Sequence, residues 1–279
     1  MVDLHTHTTA SDGSDTPREL VEKAEAAGLS AIALTDHNSM DGVAEFLEAA
    51  KGKKLRAIPG TEFSTEYQGV ELHIVALFLP PEAEPEIREL TEEFHRQKIR
   101  CNRLLAENLA AAGYAITYEE VERMANGYVN RAHFATLLTN KGYVKDRQEA
   151  FAKLLGEGDG FYTAPKRPDV FEVIRLVRRY HGVPVLAHPY LNLTQEALEG
   201  FLPEAIEAGL LAMETRYATY DEATTALAMA TAKRFGLLES GGSDYHGINK
   251  PDTKLGTGKG NLAVPDEIFE ALLAKSQEI

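Results

Sequence analysis

Residues 28–42 read GLSAIALTDHNSMDG. The stretch opens on a glycine that ends an amphipathic segment, runs on as small and branched apolar residues, and closes on Asp36 and His37 ahead of a turn-forming Asp-Gly pair. Helix end, buried strand and polar strand end form the repeating unit of an α/β fold with helices outside a largely parallel sheet. The unit recurs along the chain. Short apolar runs stand at 2–4, 30–35, 55–59, 70–79, 183–187, 210–215 and 237–240, and Gly182, Gly209 and Gly236 sit ahead of the last three as Gly28 does here. Helices are predicted at 17–27, 41–50, 170–180, 196–208, 221–235 and 265–275, with Thr16-Pro17 starting the first and Ser39 or Asp41 the cap of the second. Seven strands in this rhythm predict an α/β fold closed, or nearly closed, into a seven-stranded (β/α)7 barrel.

Between about 85 and 165 the rhythm changes to consecutive helical segments, so the chain is expected to comprise a barrel of residues 1–84 and 166–279 and a small helical insertion domain, 85–165, contributing to the substrate pocket. Its 279 residues are 44% hydrophobic and 26% charged, a balance that supports a packed core and excludes a disordered chain. The formal charge of -14 opposes binding of long duplex nucleic acid but not of a small phosphorylated ligand beside bound cations. A single cysteine, Cys101, excludes an intramolecular disulfide and a thiolate zinc cluster, and no apolar run reaches 18 residues. Cytoplasmic residence without a membrane anchor is the expectation.

Five of the nine histidines fall at or just beyond predicted strand ends: His5, His7, His37, His188 and His246, with Asp36, Glu62 and Asp244 among them and His73 inside the fourth strand. Alternate residues of a strand share a face, so His5 and His7 can serve one metal, and Asp244 and His246 can face one cavity if the chain there is extended. Asp12 follows in a polar loop that can fold back over the same rim. The C-terminal rim is where α/β barrels do their chemistry. Nitrogen and carboxylate donors without thiolate favour Mn, Fe or Zn, and Glu62 can bridge two ions.

Ligation by Asp12, Asp36, Glu62 and Asp244 brings fewer negative charges than three divalent ions bring positive ones, which suits a phosphate dianion. A metal-activated hydroxide supplies a nucleophile at neutral pH, and no G-x-S-x-G elbow offers a serine instead. Arg131 and His133 at the start of an insertion helix, Lys166 at its return and Arg216 after Glu214 are the candidate phosphate contacts. Tyr162 and Tyr217 can border a base or sugar. Each of these has a plainer structural role available to it, as a salt bridge or a packed ring.

HTHTTASDG at 5–13, LTDHNSMDG at 34–42, GTEFS at 60–64, ELH at 71–73, LAHP at 186–189 and GSDYHG at 242–247 together resemble the PHP (polymerase and histidinol phosphatase) superfamily, in order and over nearly the whole chain. NRAHFATLLTNKGYV and FYTAPKRP resemble the branch of the 3',5'-nucleoside bisphosphate phosphatases and the related 5'-to-3' exoribonuclease. The resemblance implies a distorted seven-stranded barrel with two to three divalent metals, Mn foremost, with Fe or Zn as alternatives. It implies His5, His7, Glu62 and Asp244 around a first metal, Glu62, His73 and His188 around a second, and Asp12, His37 and His246 around a third. Asp36 would orient His37 or contact the metal-bound water. For the leaving oxygen two routes stand equal, protonation by His188 or His246 once detached from metal, or coordination by a metal. The expected enzyme is a metal-dependent phosphoesterase releasing phosphate from a small nucleotide such as a 3',5'-nucleoside bisphosphate. The alternatives are a 5'-to-3' exoribonuclease acting on short RNA, a phosphatase of another small metabolite, or a metal- or nucleotide-binding module without turnover.

Overall fold

A computed structural model describes residues 1–125, 129–156 and 160–278. Its sheet has seven strands in chain order: β1 (Val2–Asp3), β2 (Ala31–Leu34), β3 (Arg56–Tyr67), β4 (Val70–Leu77), β5 (Val183–Ala187), β6 (Ala212–Tyr217) and β7 (Leu238–Gly242). Parallel pairing joins β1 to β2 to β3 and β5 to β6 to β7. The segment after β1 then meets β7 and the residues beyond it, through Leu4 N–H to Gly241 O (3.2 Å), Asp244 N–H to His5 O (2.9 Å) and His7 N–H to Tyr245 O (2.9 Å), which brings the two edges together as a barrel.

The parallel expectation fails in the middle of the sheet. β3 extends to Tyr67, turns through Gln68 and Gly69, both at positive φ, and pairs antiparallel with β4, which pairs antiparallel with β5. A two-residue turn with two left-handed positions suits an antiparallel hairpin and leaves no room for a crossover helix. Glu62 therefore lies inside a twelve-residue strand rather than at a strand's end.

Ala31 and Ala33, Ile58, Val75 and Leu77, and Val183, Val185 and Ala187 belong to one buried cluster with Phe269 and Leu272. Ile32 and Leu34, on the opposite face of β2, are equally buried, which is why the strands show no polar alternation. The helices of this unit are α1 (Pro17–Ala26), α2 (Val43–Ala50), α7 (Val170–Arg179), α8 (Gln195–Ala208), α9 (Glu222–Phe235) and α10 (Asp266–Gln277). Thr16 and Glu19 form a reciprocal capping box at α1. At α2 the cap is Gly42 with no side-chain bond, because Ser39 Oγ accepts from Asp41 N–H (3.1 Å) one turn earlier.

The chain divides into two compact units, one of Met1–Arg88 with Arg167–Ile279 and a second of Glu89–Lys166. The long α3 (Glu84–Ala111) starts in the first. The second contains most of α3, then α4 (Tyr118–Ala125), α5 (Arg131–Asn140) and α6 (Arg147–Ala150), around a core that includes Leu105, Leu109, Phe134, Leu138 and Leu155. No helix among the described residues is long and apolar enough to cross a membrane.

Candidate metal centre

His5 and His7 leave β1 on an extended segment, and Thr6 between them turns its hydroxyl the other way, onto Ala33 O. Alternation thus sends both imidazoles to one place, where their Nε2 atoms stand 3.1 Å apart. Glu62 Oε2 reaches the same point, 3.2 Å from His5 Nε2, 3.3 Å from His7 Nε2 and 3.0 Å from His37 Nδ1. Its Oε1 lies 2.8 Å from His73 Nδ1 and 3.0 Å from His188 Nε2. Asp244 Oδ1 is 3.2 Å from His7 Nε2, while Asp12 Oδ1 is 3.1 Å from His246 Nε2.

Donor atoms form four overlapping groups: His7, Asp12, His37 and His246; His5, His7 and Asp244; His5, Glu62 and His188; His37, Glu62 and His73. Metal bonds to nitrogen or oxygen of about 2.0–2.2 Å set neighbouring ligand atoms about 3–3.5 Å apart, a spacing that the closest pairs here match while Asp12 Oδ1 stands 3.9 Å from His7 Nδ1 and from His37 Nε2. Glu62 Oε2, His7 Nδ1 and His37 Nδ1 are buried with no hydrogen-bond partner among the described residues. A bound cation would satisfy such atoms, as an ordered water would. The donor set and the spacing fit divalent ions.

In the metal-free protein, protons take the place of that charge. Burial opposes ionisation of Glu62, Asp12 and Asp244, yet surrounding histidines, and Lys250 for Asp244, hold all three well below the usual carboxylate range. Burial likewise works against charge on His7 and His73, but Asp244 and Glu62 lift His7 to about 9, and Glu62 and Glu71 lift His73 to about 10. His37 goes the other way, pushed by burial down to about 3 against the pull of Glu62 and Asp12.

The nine residues expected as metal ligands, His5, His7, Asp12, His37, Glu62, His73, His188, Asp244 and His246, all come together, although His5 groups with Glu62 and His188 as well as with His7 and Asp244. Asp36 braces the loop after His7: its Oδ1 accepts from Thr8 N–H (2.7 Å) and Ser11 Oγ (2.5 Å) and its Oδ2 from Thr8 Oγ1 (2.6 Å). Burial raises its carboxyl, partly offset by these donors and by His7.

Arg216 also departs from expectation. A bulge in β6 between Glu214 and Arg216 breaks the alternation, so Glu214 and Tyr217 face the centre while Thr215 and Arg216 turn outward to Glu239. The Arg216 guanidinium pairs with Glu239 and rests 3.7 Å from Met229 Sδ on α9, away from the ligand cluster. Arg131, His133 and Lys166 belong to the helical unit. Arg131 donates to Leu155 O (3.2 Å) and covers Tyr162, His133 Nδ1 accepts from Asn130 N–H in a capping box, and Lys166 N–H bonds Gln97.

Several residues beside these donors take roles that the sequence reading did not give them. Tyr217 OH donates to Asp244 Oδ2 (2.7 Å), and Lys250 Nζ meets the same oxygen at 2.7 Å. Arg167 is buried and donates to Glu71 Oε2 (2.7 Å), whose Oε1 stands 3.3 Å from His73 Nε2. Glu71 is two residues before His73 on β4, a spacing that puts the two on one face and was a readable signal. Glu214 accepts from His5 Nδ1–H (2.9 Å) and His188 N–H (2.7 Å).

A barrel that gathers eight histidines and aspartates around one shared glutamate, with the spacing of metal-donor groups, is the arrangement of a metal-dependent hydrolase. The PHP domain model matches residues 3–180. The chain is 33% identical over 248 residues to the "5'-3' exoribonuclease Rnm" of Escherichia coli strain K12, covering 88% of this chain and 84% of that one. It is 29% identical over 248 residues to the "3',5'-nucleoside bisphosphate phosphatase" of Chromobacterium violaceum, with 88% and 87% covered. A crystal structure of a Bifidobacterium adolescentis protein classed as a metal-dependent phosphoesterase superposes with a TM-score of 0.83 at 29% identity, covering 98% of this chain and 96% of the other. The chain belongs to the PHP domain family. It is a metal-dependent phosphoesterase, a hydrolase of phosphoric esters.

Proposed function

We propose that the chain removes phosphate from a phosphate monoester of a small nucleotide such as a 3',5'-nucleoside bisphosphate, in the cytoplasm. Glu62 is the observation that carries this reading: it is buried, with one oxygen toward His5, His7 and His37 and the other toward His73 and His188, which supports a role shared between two ions. We take His5, His7, Glu62 and Asp244 as one site, Glu62, His73 and His188 as a second, and Asp12, His37 and His246 as a third, for two to three divalent ions, Mn first. Such ions supply charge for the phosphoryl oxygens and acidify water at neutral pH. Only Asp12, Glu62 and Asp244 among these ligands are anionic, so the loaded centre keeps a positive surplus for a phosphate dianion.

The surrounding residues orient that centre. Tyr217 and Lys250 hold Asp244 Oδ2, which leaves Oδ1 toward His7, and Lys250 adds a cation near Asp244 and Asp12. His188 and His246 are the chain's candidates for delivering a proton to the leaving oxygen, a role open to either only when it is not ligating an ion, and coordination of that oxygen by a bound ion would serve instead. The relative from C. violaceum supports the substrate class by its name.

The test is phosphate release by Mn-reconstituted protein from adenosine 3',5'-bisphosphate, beside adenosine monophosphates, histidinol phosphate and 5'-phosphorylated RNA oligomers. Rapid release from the bisphosphate is expected. Shortening of oligomers at a matching rate would favour the second reading, a 5'-to-3' exoribonuclease on short RNA, which the higher identity to the E. coli relative supports. Silence on every substrate with metal bound would leave a binding module.

A further inference from the structure

Glu214 is 1% exposed, and each of its oxygens meets an N–H donor. It sits on β6 between two strands whose ends supply ligands, and the bulge after it turns it inward. Oε1 accepts the Nδ1–H of His5 at 2.9 Å, and Oε2 accepts the backbone N–H of His188 at 2.7 Å. Each bond has a consequence for a ligand atom. With the proton of His5 on Nδ1, its Nε2 carries a lone pair, and Nε2 is the atom 3.1 Å from His7 Nε2 and 3.2 Å from Glu62 Oε2. His188 stands at φ 30° and ψ 52°, a left-handed conformation that a residue with a Cβ rarely takes, and this turn points its Nε2 at Glu62 Oε1, 3.0 Å away.

We propose that Glu214 is a positioning residue that fixes ligands on both sides of Glu62 at once, setting the tautomer of His5 through one oxygen and the backbone turn of His188 through the other. The inference rests on the reading of the cluster as a metal centre. An outer carboxylate on a ligating histidine is a recurrent device, and its loss costs about 10–100-fold in metal affinity. Here the same group carries a second ligand from another strand. An amide cannot replace it, because a glutamine has one acceptor oxygen, and whichever bond that oxygen keeps, the NH2 group then opposes the other N–H donor.

The experiment is titration of the metal-free full chain with Mn2+ by calorimetry, with bound metal counted by elemental analysis, for wild type, Glu214→Gln and Glu239→Gln. Glu239 lies outward on β7 against Arg216 and serves as the control. E214Q is expected to bind at least tenfold more weakly and with lower stoichiometry, while E239Q matches wild type. Full stoichiometry in E214Q at an affinity within about twofold of wild type would overturn the role of Glu214 and leave the metal centre standing. Failure of the wild type to bind metal would overturn the centre itself. Should E214Q not fold, 15N correlation spectra of the Zn-loaded wild type decide: a proton on His5 Nδ1 is expected, and one on Nε2 overturns the proposal.

Discussion

Replacing Glu62 with Gln removes one negative charge from a buried site where it faces five imidazoles at 2.8–3.3 Å. At an effective dielectric of about 20, a carboxylate and an imidazolium 3 Å apart attract by about 5 kcal/mol before desolvation is subtracted, and breaking a buried pair on one side costs about 3–5 kcal/mol. The loss depends on pH in a defined direction. His7 and His73 rise from 6.5 to about 9 and about 10 in the metal-free fold, so their stabilisation is complete below pH 6.5 and vanishes as pH climbs through those values. Glu62, held well below 4.5, contributes above that value. At pH 6, where both partners are charged, calorimetric unfolding of metal-free E62Q should come roughly 10 °C below wild type. The gap should close toward pH 10. With Mn present the order of pH effects reverses, since metal must displace those protons, and the metal-induced rise in wild-type melting temperature should grow from pH 6 to pH 8. Equal melting at pH 6, or a metal-free gap that widens with pH, would refute this account of the cluster.

Other substitutions probe single links. Asp244→Asn should abolish most phosphate release with the fold intact by circular dichroism; near-normal rate and metal content would remove Asp244 from the centre. Tyr217→Phe deletes a hydrogen bond to the Asp244 carboxylate worth about 1.5–3 kcal/mol, and should weaken Mn binding about tenfold without changing the circular dichroism of the fold. Arg216→Ala, which loses Glu239 on the outer side of the barrel, should leave KM unchanged, and a tenfold rise would restore a phosphate-contacting role. Thr16→Ala breaks the capping box of α1 and should cost about 1 kcal/mol in denaturant unfolding with turnover preserved.

What could be read from the chain followed periodicity and residue type. Buried strands announce themselves as short apolar runs because both faces are covered, and all seven were legible on that ground, while residue type singled out the nine histidines and carboxylates that the fold brings together. Strand direction was not, because an apolar run such as VELHIVALFL reads the same in a parallel or an antiparallel pair. Only the Gln-Gly turn before it, too short for a crossover, distinguishes the two. Arg216 shows a different limit. Strict alternation would put it beside Glu214, and one bulged residue, which no pattern of polar and apolar residues marks, sends it to the opposite face. Asp36 shows a third: its residue type suits a ligand, but two hydroxyls and a backbone N–H from the His7 loop reach it, and those donors are known only once the loop is folded. Glu214 extends the same point. A glutamate in the apolar run LLAMET can be buried only if donors meet it, and the sequence does not say which. The structure supplies His5 and His188, so the residue least like a surface charge in that run is the one that ties two ligand-bearing strand ends together.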